Sequence, residues 1–397
     1  MRRIFVFALM LSFVMSNAAY GQDNLVKKAS ESANATGVSG YVFTHVIDLS
    51  TTPIENQGSS GTCWSYSANS FLESEMIKAG KRPVPLSKIY TARKQYEDKA
   101  DMYVRLGGTL SWGDGGEAHD VVNMYKKYGA IPQSVYTGLI NGQTVNNFSE
   151  MQAVIQAIIG AIVKVENRTP TWKQAVSGTL DAYLGAVPKT FIYEGKTYTP
   201  QTFAKEYVGL NADNYTEFIS QTNTPYYEKA LMAIPNNWSY QWDYNITPQE
   251  ITDIIDNALK NGYTVSWGTD VSEPYFSWPN GVAYVPENAT KLDAKRMTKE
   301  DRAKLFNGPQ KEMTITAEAR QQALENGTTT DDHGMHIVGL AKDQNGKEYY
   351  IVKNSWGETN SYKGFLYVTK AFVQYKTTSI LVNNKAVPAS IWKLLKS

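Results

Sequence analysis

The chain has 397 residues, 39 Lys and Arg against 38 Asp and Glu, 42% hydrophobic and 19% charged residues, and a formal net charge of +1. Such a balance suits two globular domains, or one large domain with an insertion, and excludes a disordered chain, a collagen-like repeat and a dedicated basic nucleic-acid binder. The single cysteine, Cys63, excludes an intramolecular disulfide and a cysteine-based zinc site, and no other metal or cofactor is expected.

The N-terminus begins with Arg2 and Arg3, continues with an apolar run from Ile4 to Val14 too short to span a bilayer comfortably, and reaches small residues at Ala18, Ala19 and Gly21. This is the pattern of a secretory signal peptide over 1–21, cut after Ala19 or Gly21. It predicts export to a bacterial periplasm or the medium, with no stable membrane anchor after cleavage. Residues 22–39 are polar and small and read as a flexible tail. A lone thiol in an oxidising compartment is either buried and inert or reactive and used.

From Gly40 the pattern becomes ordered. Residues 41–48 alternate as a short strand, and 52–62 form a loop rich in Pro, Asn, Gln, Ser and Gly. A helix starts at Cys63, with Ala68, Phe71, Leu72, Met76 and Ala79 at helical spacing and Gly80 as its stop. An insertion spans about 140–250, with helices predicted over Met151–Val165 and Trp172–Leu184. Within it Trp238, Tyr240, Trp242 and Tyr244 alternate as one aromatic face, which raises a carbohydrate- or peptide-binding module as a competing function class. A helix over Ile251–Lys260 stops at Gly262, and a strand follows over Tyr263–Gly268. The C-terminal part reads as antiparallel sheet. His336–Leu340 and Tyr349–Val352 flank Asp343-Gln344-Asn345-Gly346, a strong hairpin signal, and Gly364–Thr369 is a third strand.

A thiol at a helix N-terminus feels the positive end of the macrodipole and free backbone N–H groups, both of which favour thiolate. Cys63 is therefore the candidate nucleophile, and it needs a base. Of His45, His119, His333 and His336, only His333 falls almost opposite an amide, Asn354, across a hairpin turning at 343–346. An amide oxygen there can accept the imidazole N–H and set its tautomer and orientation. His336 is expected to face the other way in a structural role, and His119 to serve packing or the surface. No chemistry is read near His45.

These segments, Gln57 with Ser59-Ser60-Gly61-Thr62-Cys63-Trp64, then Asp332-His333-Gly334-Met335, then Asn354-Ser355-Trp356-Gly357, resemble in order those of the papain-like cysteine peptidases. Gly115-Gly116, Lys127 to Pro132 and Trp267 to Asp270 are similar to the bleomycin hydrolase / aminopeptidase C branch, and so is the long spacing between Cys63 and His333. The resemblance implies an α+β, papain-like fold: a helical domain with the cysteine, an antiparallel β domain with the histidine and asparagine, and a large, mainly helical insertion. It implies a peptidase acting on peptide substrates, with Cys63, His333 and Asn354 catalytic. Gln57 would join the Cys63 backbone N–H in an oxyanion hole, Gly115 and Gly116 would pair with the substrate backbone, and Trp356 would cover the His–Asn hydrogen bond. The complete set argues against a catalytically idle binding protein of the same fold. In that branch a C-terminal arm restricts cleavage to substrate N-termini and the enzymes form hexamers. Here the chain ends soon after the helical stretch Ala389 to Leu395, so the arm is expected to be missing and internal cleavage to occur, with aminopeptidase action and oligomeric state open.

Overall fold

The computed structural model describes Leu25, residues 40–292 and residues 296–395. The signal peptide over 1–21, and the tail apart from Leu25, lie outside the described residues.

Helix α1 (Cys63–Lys78) is the axis of the helical half and is buried from Cys63 through Met76. It has no polar stripe because it has no solvent face. Gly80, at φ +70°, ends it by adopting a conformation that costs glycine little. On it pack α2 (Lys88–Arg105) and α3 (Ala118–Tyr128), and on α2 in turn pack α4 (Ser149–Val163) and α5 (Thr171–Leu184), all sharing one apolar core. Ser87 caps α2 by accepting from the Tyr90 N–H at 3.0 Å.

An ion pair sits inside this half. Lys88 and Glu73 are both fully buried with Nζ and Oε1 2.7 Å apart, and Glu55 makes a second pair with Lys88. Glu73 also accepts the Leu86 N–H at 2.7 Å and the Thr52 hydroxyl. Removing one partner of a buried pair strands the other charge. Glu73→Gln is therefore expected to cost roughly 3–5 kcal/mol of stability, read as a lowered urea midpoint at unchanged slope. A loss below about 1 kcal/mol would show that Glu55 alone compensates Lys88.

The other half is a sheet. Strands β2 (Phe191–Tyr193) and β3 (Lys196–Tyr198) form a separate hairpin. The eleven-stranded sheet uses β1 (Thr44–Asp48), β4 (Tyr215–Ile219), β5 (Lys229–Leu231), β6 (Trp242–Asn245), β7 (Val265–Thr269), β8 (Phe276–Ser277) and β9 (Val282–Ala283). It is completed by β10 (His333–Lys342), β11 (Glu348–Lys353), β12 (Phe365–Thr369) and β13 (Thr377–Asn383). The order is β5-β6-β4-β13-β7-β10-β11-β12-β9-β8, with β1 also on β10. The β10–β11 hairpin pairs His336 with Lys353 and Leu340 with Tyr350, shifting by one residue at a bulge between Ile337 and Gly339. Gly339 is required there, because a Cβ would lie 2.3 Å from the Ile47 carbonyl oxygen of β1. Helix α6 (Pro248–Lys260) packs its isoleucine face on this second core.

The insertion is helical through α4 and α5, and from 191 to 245 it also supplies short strands, of which β4 pairs with β13. The alternating aromatic face is not formed. Trp238 is buried, with Nε1 donating to Asp120 Oδ2 at 2.9 Å, whereas Tyr240 has left-handed backbone at φ +54° and breaks the alternation. Trp242 is exposed and Tyr244 packs on Phe218. A binding module built on that face loses its surface.

Candidate active site

Cys63 begins α1 and His333 begins β10, and the two elements meet at Gly334. A Cβ on Gly334 would lie 2.8 Å from Ser67 Oγ and 3.1 Å from Trp64 Cα, so only glycine lets the strand approach the helix this closely. Cys63 and His333 thereby line one cavity of about 570 Å³.

His333 is 2% exposed, and its Nε2 lies 2.7 Å from Asn354 Oδ1. The same Oδ1 accepts the backbone N–H of Ser355 at 2.7 Å. A backbone N–H can only donate, so that atom is the amide oxygen and Nε2 carries the imidazole proton. Nδ1 is left as an acceptor, with no hydrogen-bond partner among the described residues. The Trp356 ring lies over the imidazole, centroids 4.6 Å apart, and is itself backed edge-on by Trp278 at 5.3 Å. Burial holds His333 down at about 4, opposed by the Asn354 hydrogen bond. Burial likewise pushes the Cys63 thiol up to about 12, opposed by the backbone N–H groups of Gly334 and Trp64. Burial thus disfavours the charged form of both groups.

Gln57 is fully buried and is not among the residues lining the cavity. Its Nε2 donates to the Ser60 carbonyl at 2.7 Å and its Oε1 accepts from Ser355 Oγ at 2.5 Å. It thus braces the cysteine loop against the residue that orients Asn354. Gly115 and Gly116 do line the cavity. A Cβ on Gly116 would lie 2.4 Å from Gln95 Nε2 and one on Gly115 1.8 Å from Asn236 Oδ1. The Gly115 carbonyl accepts from Gln95 and Lys99 at 3.0 and 2.9 Å. Trp64 Nε1 donates to the Asp114 carbonyl and Gly61 N–H to Asp114 Oδ2, both at 2.9 Å, tying this loop to the cysteine loop. Leu25, the one described residue of the 22–39 tail, is buried against the same cavity.

The remaining histidines lie elsewhere. His336 is buried beneath α1 with Nδ1 3.0 Å from Ser70 Oγ, and His45 joins Asp48 and Tyr367. His119 is no surface residue: it is buried, with Nδ1 2.7 Å from Glu217 Oε2. Burial alone would lower it, but the charges of Glu217 and Asp120 lift it to about 10. His119, Glu217 and Asp243 bring possible metal-ligating atoms within 4.8 Å of one another. Ligand atoms about 2.0–2.1 Å from a tetrahedral ion stand ~3.4 Å apart, so the 2.7 Å contact is that of an ion pair.

Sequence reasoning gave no role to Lys99, Asp114, Glu117, Asn236, Asp331 and Asp332, which also line the cavity. Asp331 and Asp332 adjoin His333 and Glu117 adjoins Gly116, so their nearness was readable from chain position. Asn236 arrives from the insertion and carried no such signal.

The Peptidase C1-like family matches residues 86–397. Aminopeptidase C of Lactobacillus delbrueckii subsp. lactis is 24% identical, over 96% of this chain and 89% of its own length. Bleomycin hydrolase of Mus musculus is 23% identical over 90% and 85%. The crystal structure of PepW from Lactobacillus rhamnosis superposes with a TM-score of 0.70 at 21% identity, covering 94% of this chain and 90% of that one.

Proposed function

We propose that this chain, which belongs to the Peptidase C1-like family of cysteine peptidases, is an exported aminopeptidase with Cys63 as nucleophile, His333 as proton carrier and Asn354 as the group that orients it. The observation that carries this is the His333–Asn354 hydrogen bond, which leaves Nδ1 as a free acceptor on an imidazole that shares its cavity with the Cys63 thiol. In this reading Cys63 Sγ attacks the scissile carbonyl while its proton passes to His333 Nδ1. His333 then gives that proton to the departing amine, leaving a thioester. Water attacks the thioester, its proton goes to Nδ1, and the proton returns to sulfur as the acid departs. The Cys63 backbone N–H at the head of α1 would meet the developing oxyanion. Gln57 Nε2 would need its second hydrogen for that role, since the first is spent on Ser60. Gly116 would lie along the substrate backbone, and export rests on Arg2, Arg3 and the apolar run after them.

Aminopeptidase action is favoured over internal cleavage by Asn236. Its side chain stands against Gly115 and lines the cavity with Asp331, so the insertion walls the groove beside the stretch where a substrate would run. One peptide offered with a free and with an acetylated N-terminus, followed by mass spectrometry, tests this. Stepwise loss of N-terminal residues from the free form, with the acetylated form intact, is expected. Internal fragments from the acetylated peptide would overturn it.

A further inference from the structure

We propose that the carboxyl groups of Glu117 and Asp331 form a receptor for a substrate ammonium group in the wall of the cavity that holds Cys63. The inference rests on the reading of that cavity as the peptidase cleft.

Glu117 is the N-cap of α3, 5% exposed, and lines the cavity with Asp331. Burial raises both carboxyl groups, and the charge of Asp331 raises Glu117 further. Glu117 Oε1 and Asp331 Oδ2 are buried and have no hydrogen-bond partner among the described residues. A third cavity carboxyl, Asp332, also leaves Oδ2 without a partner. A buried acceptor left unpaired is costly, so these oxygens are half of an interaction. No described residue supplies the other half. Lys99 is the one lysine among the described lining residues, and its Nζ is already given to the carbonyls of Gly113 and Gly115 at 3.0 and 2.9 Å.

An alkylammonium group brings a positive charge and three N–H donors, and its hydrogen bonds to carboxylates are of the strong, charge-assisted kind. Asn236, which stands against Gly115, lines the cavity together with Asp331. Two parts of a peptide carry such a group: the α-amine of its first residue and the side chain of a lysine.

The test is a calorimetric titration of the Cys63→Ala protein, which binds without turnover. Three peptide amides of equal length are compared: one with a free α-amine and neutral side chains, its des-amino counterpart, and a des-amino peptide with lysine second. A cationic peptide is expected to bind about tenfold or more tightly than the uncharged one, the size of one charge-assisted hydrogen bond. Preference for the first identifies the α-ammonium as the source, and preference for the third identifies the lysine. Adding Glu117→Gln, or separately Asp331→Asn, should cut the preference to about threefold or less, with thermal unfolding confirming each fold. Equal binding of the three peptides, binding of none, or a preference that survives both substitutions would overturn the proposal. An intact charge preference in a chain that hydrolyses no peptide would instead overturn only the peptidase reading.

Discussion

Cys63→Ser is expected to lower peptide hydrolysis by about 10⁴-fold or more, the order seen when a nucleophile is removed from a unit that works together. The two side chains are nearly isosteric, and Cys63 makes its fold contribution as a small buried group at the head of α1. The thermal midpoint should therefore shift by only a few degrees, on the order of 1 kcal/mol or less. The loss follows from proton affinity. Burial holds His333 at about 4, so the imidazole is a weak base. It can accept a proton from a thiol as sulfur bonds to carbon, but a serine hydroxyl is a far weaker acid than a thiol. The helix N-terminus favours thiolate, yet in this structure burial outweighs it and lifts the thiol to about 12. The nucleophile is thus expected to form during attack and not to be stored as an anion. Initial rates on a free-amine peptide, with circular dichroism on the same sample, check both statements. Activity above about one-hundredth of the parent would remove Cys63 as nucleophile.

How far the site was legible depends on how local each signal is. The start of α1 at Cys63 follows from a loop of glycine and serine meeting a helical spacing of apolar residues, and the end at Gly80 from one glycine with positive φ. The hairpin that brings His333 to Asn354 follows from Asn345-Gly346 between two apolar runs, with Gly346 at φ +83°. Both are properties of short windows. The bulge between Ile337 and Gly339 was not legible, because it answers the approach of β1 from far along the chain. Pairing of β4 with β13 was equally hidden, since β4 is short and its partner is the last strand of the sheet in sequence. The aromatic alternation at 238–244 misled for a related reason. Period two reports a strand only if the backbone stays extended, and Tyr240 does not. Gln57 matches the motif position, and its amide oxygen and one amide hydrogen are given to Ser355 and Ser60, which leaves one hydrogen uncommitted.

Removing His333 should cost about as much as removing the thiol, and its titration should set the acid limit of the enzyme. The reactive state has one proton shared between Cys63 and His333, so the limits belong to the pair. With His333 at about 4 and Cys63 at about 12, that state spans the neutral range, and activity should fall as pH drops through about 4. His333→Ala should lower kcat by about 10⁴-fold, and Asn354→Ala by less, since it disturbs the orientation of an imidazole still present. Stability should move in the same direction. An imidazole whose folded pKa lies below its unfolded 6.5 favours the folded chain fully above pH 6.5 and loses that contribution as pH falls toward 4. The loss amounts to roughly 3 kcal/mol for the whole shift. Asp114 and Asp332, which burial lifts to about 6 and about 7, titrate above this limb, so the limb is assigned directly. The chain has four histidines, and the ring proton of His333 can be identified in the NMR spectrum of the Cys63→Ala protein by its absence from a Cys63→Ala, His333→Ala double variant. A midpoint near 4 is expected for it. A midpoint at 6.5 or above would show that the imidazole is stabilised as a cation by a group in the cavity, and the neutral resting pair would have to be abandoned.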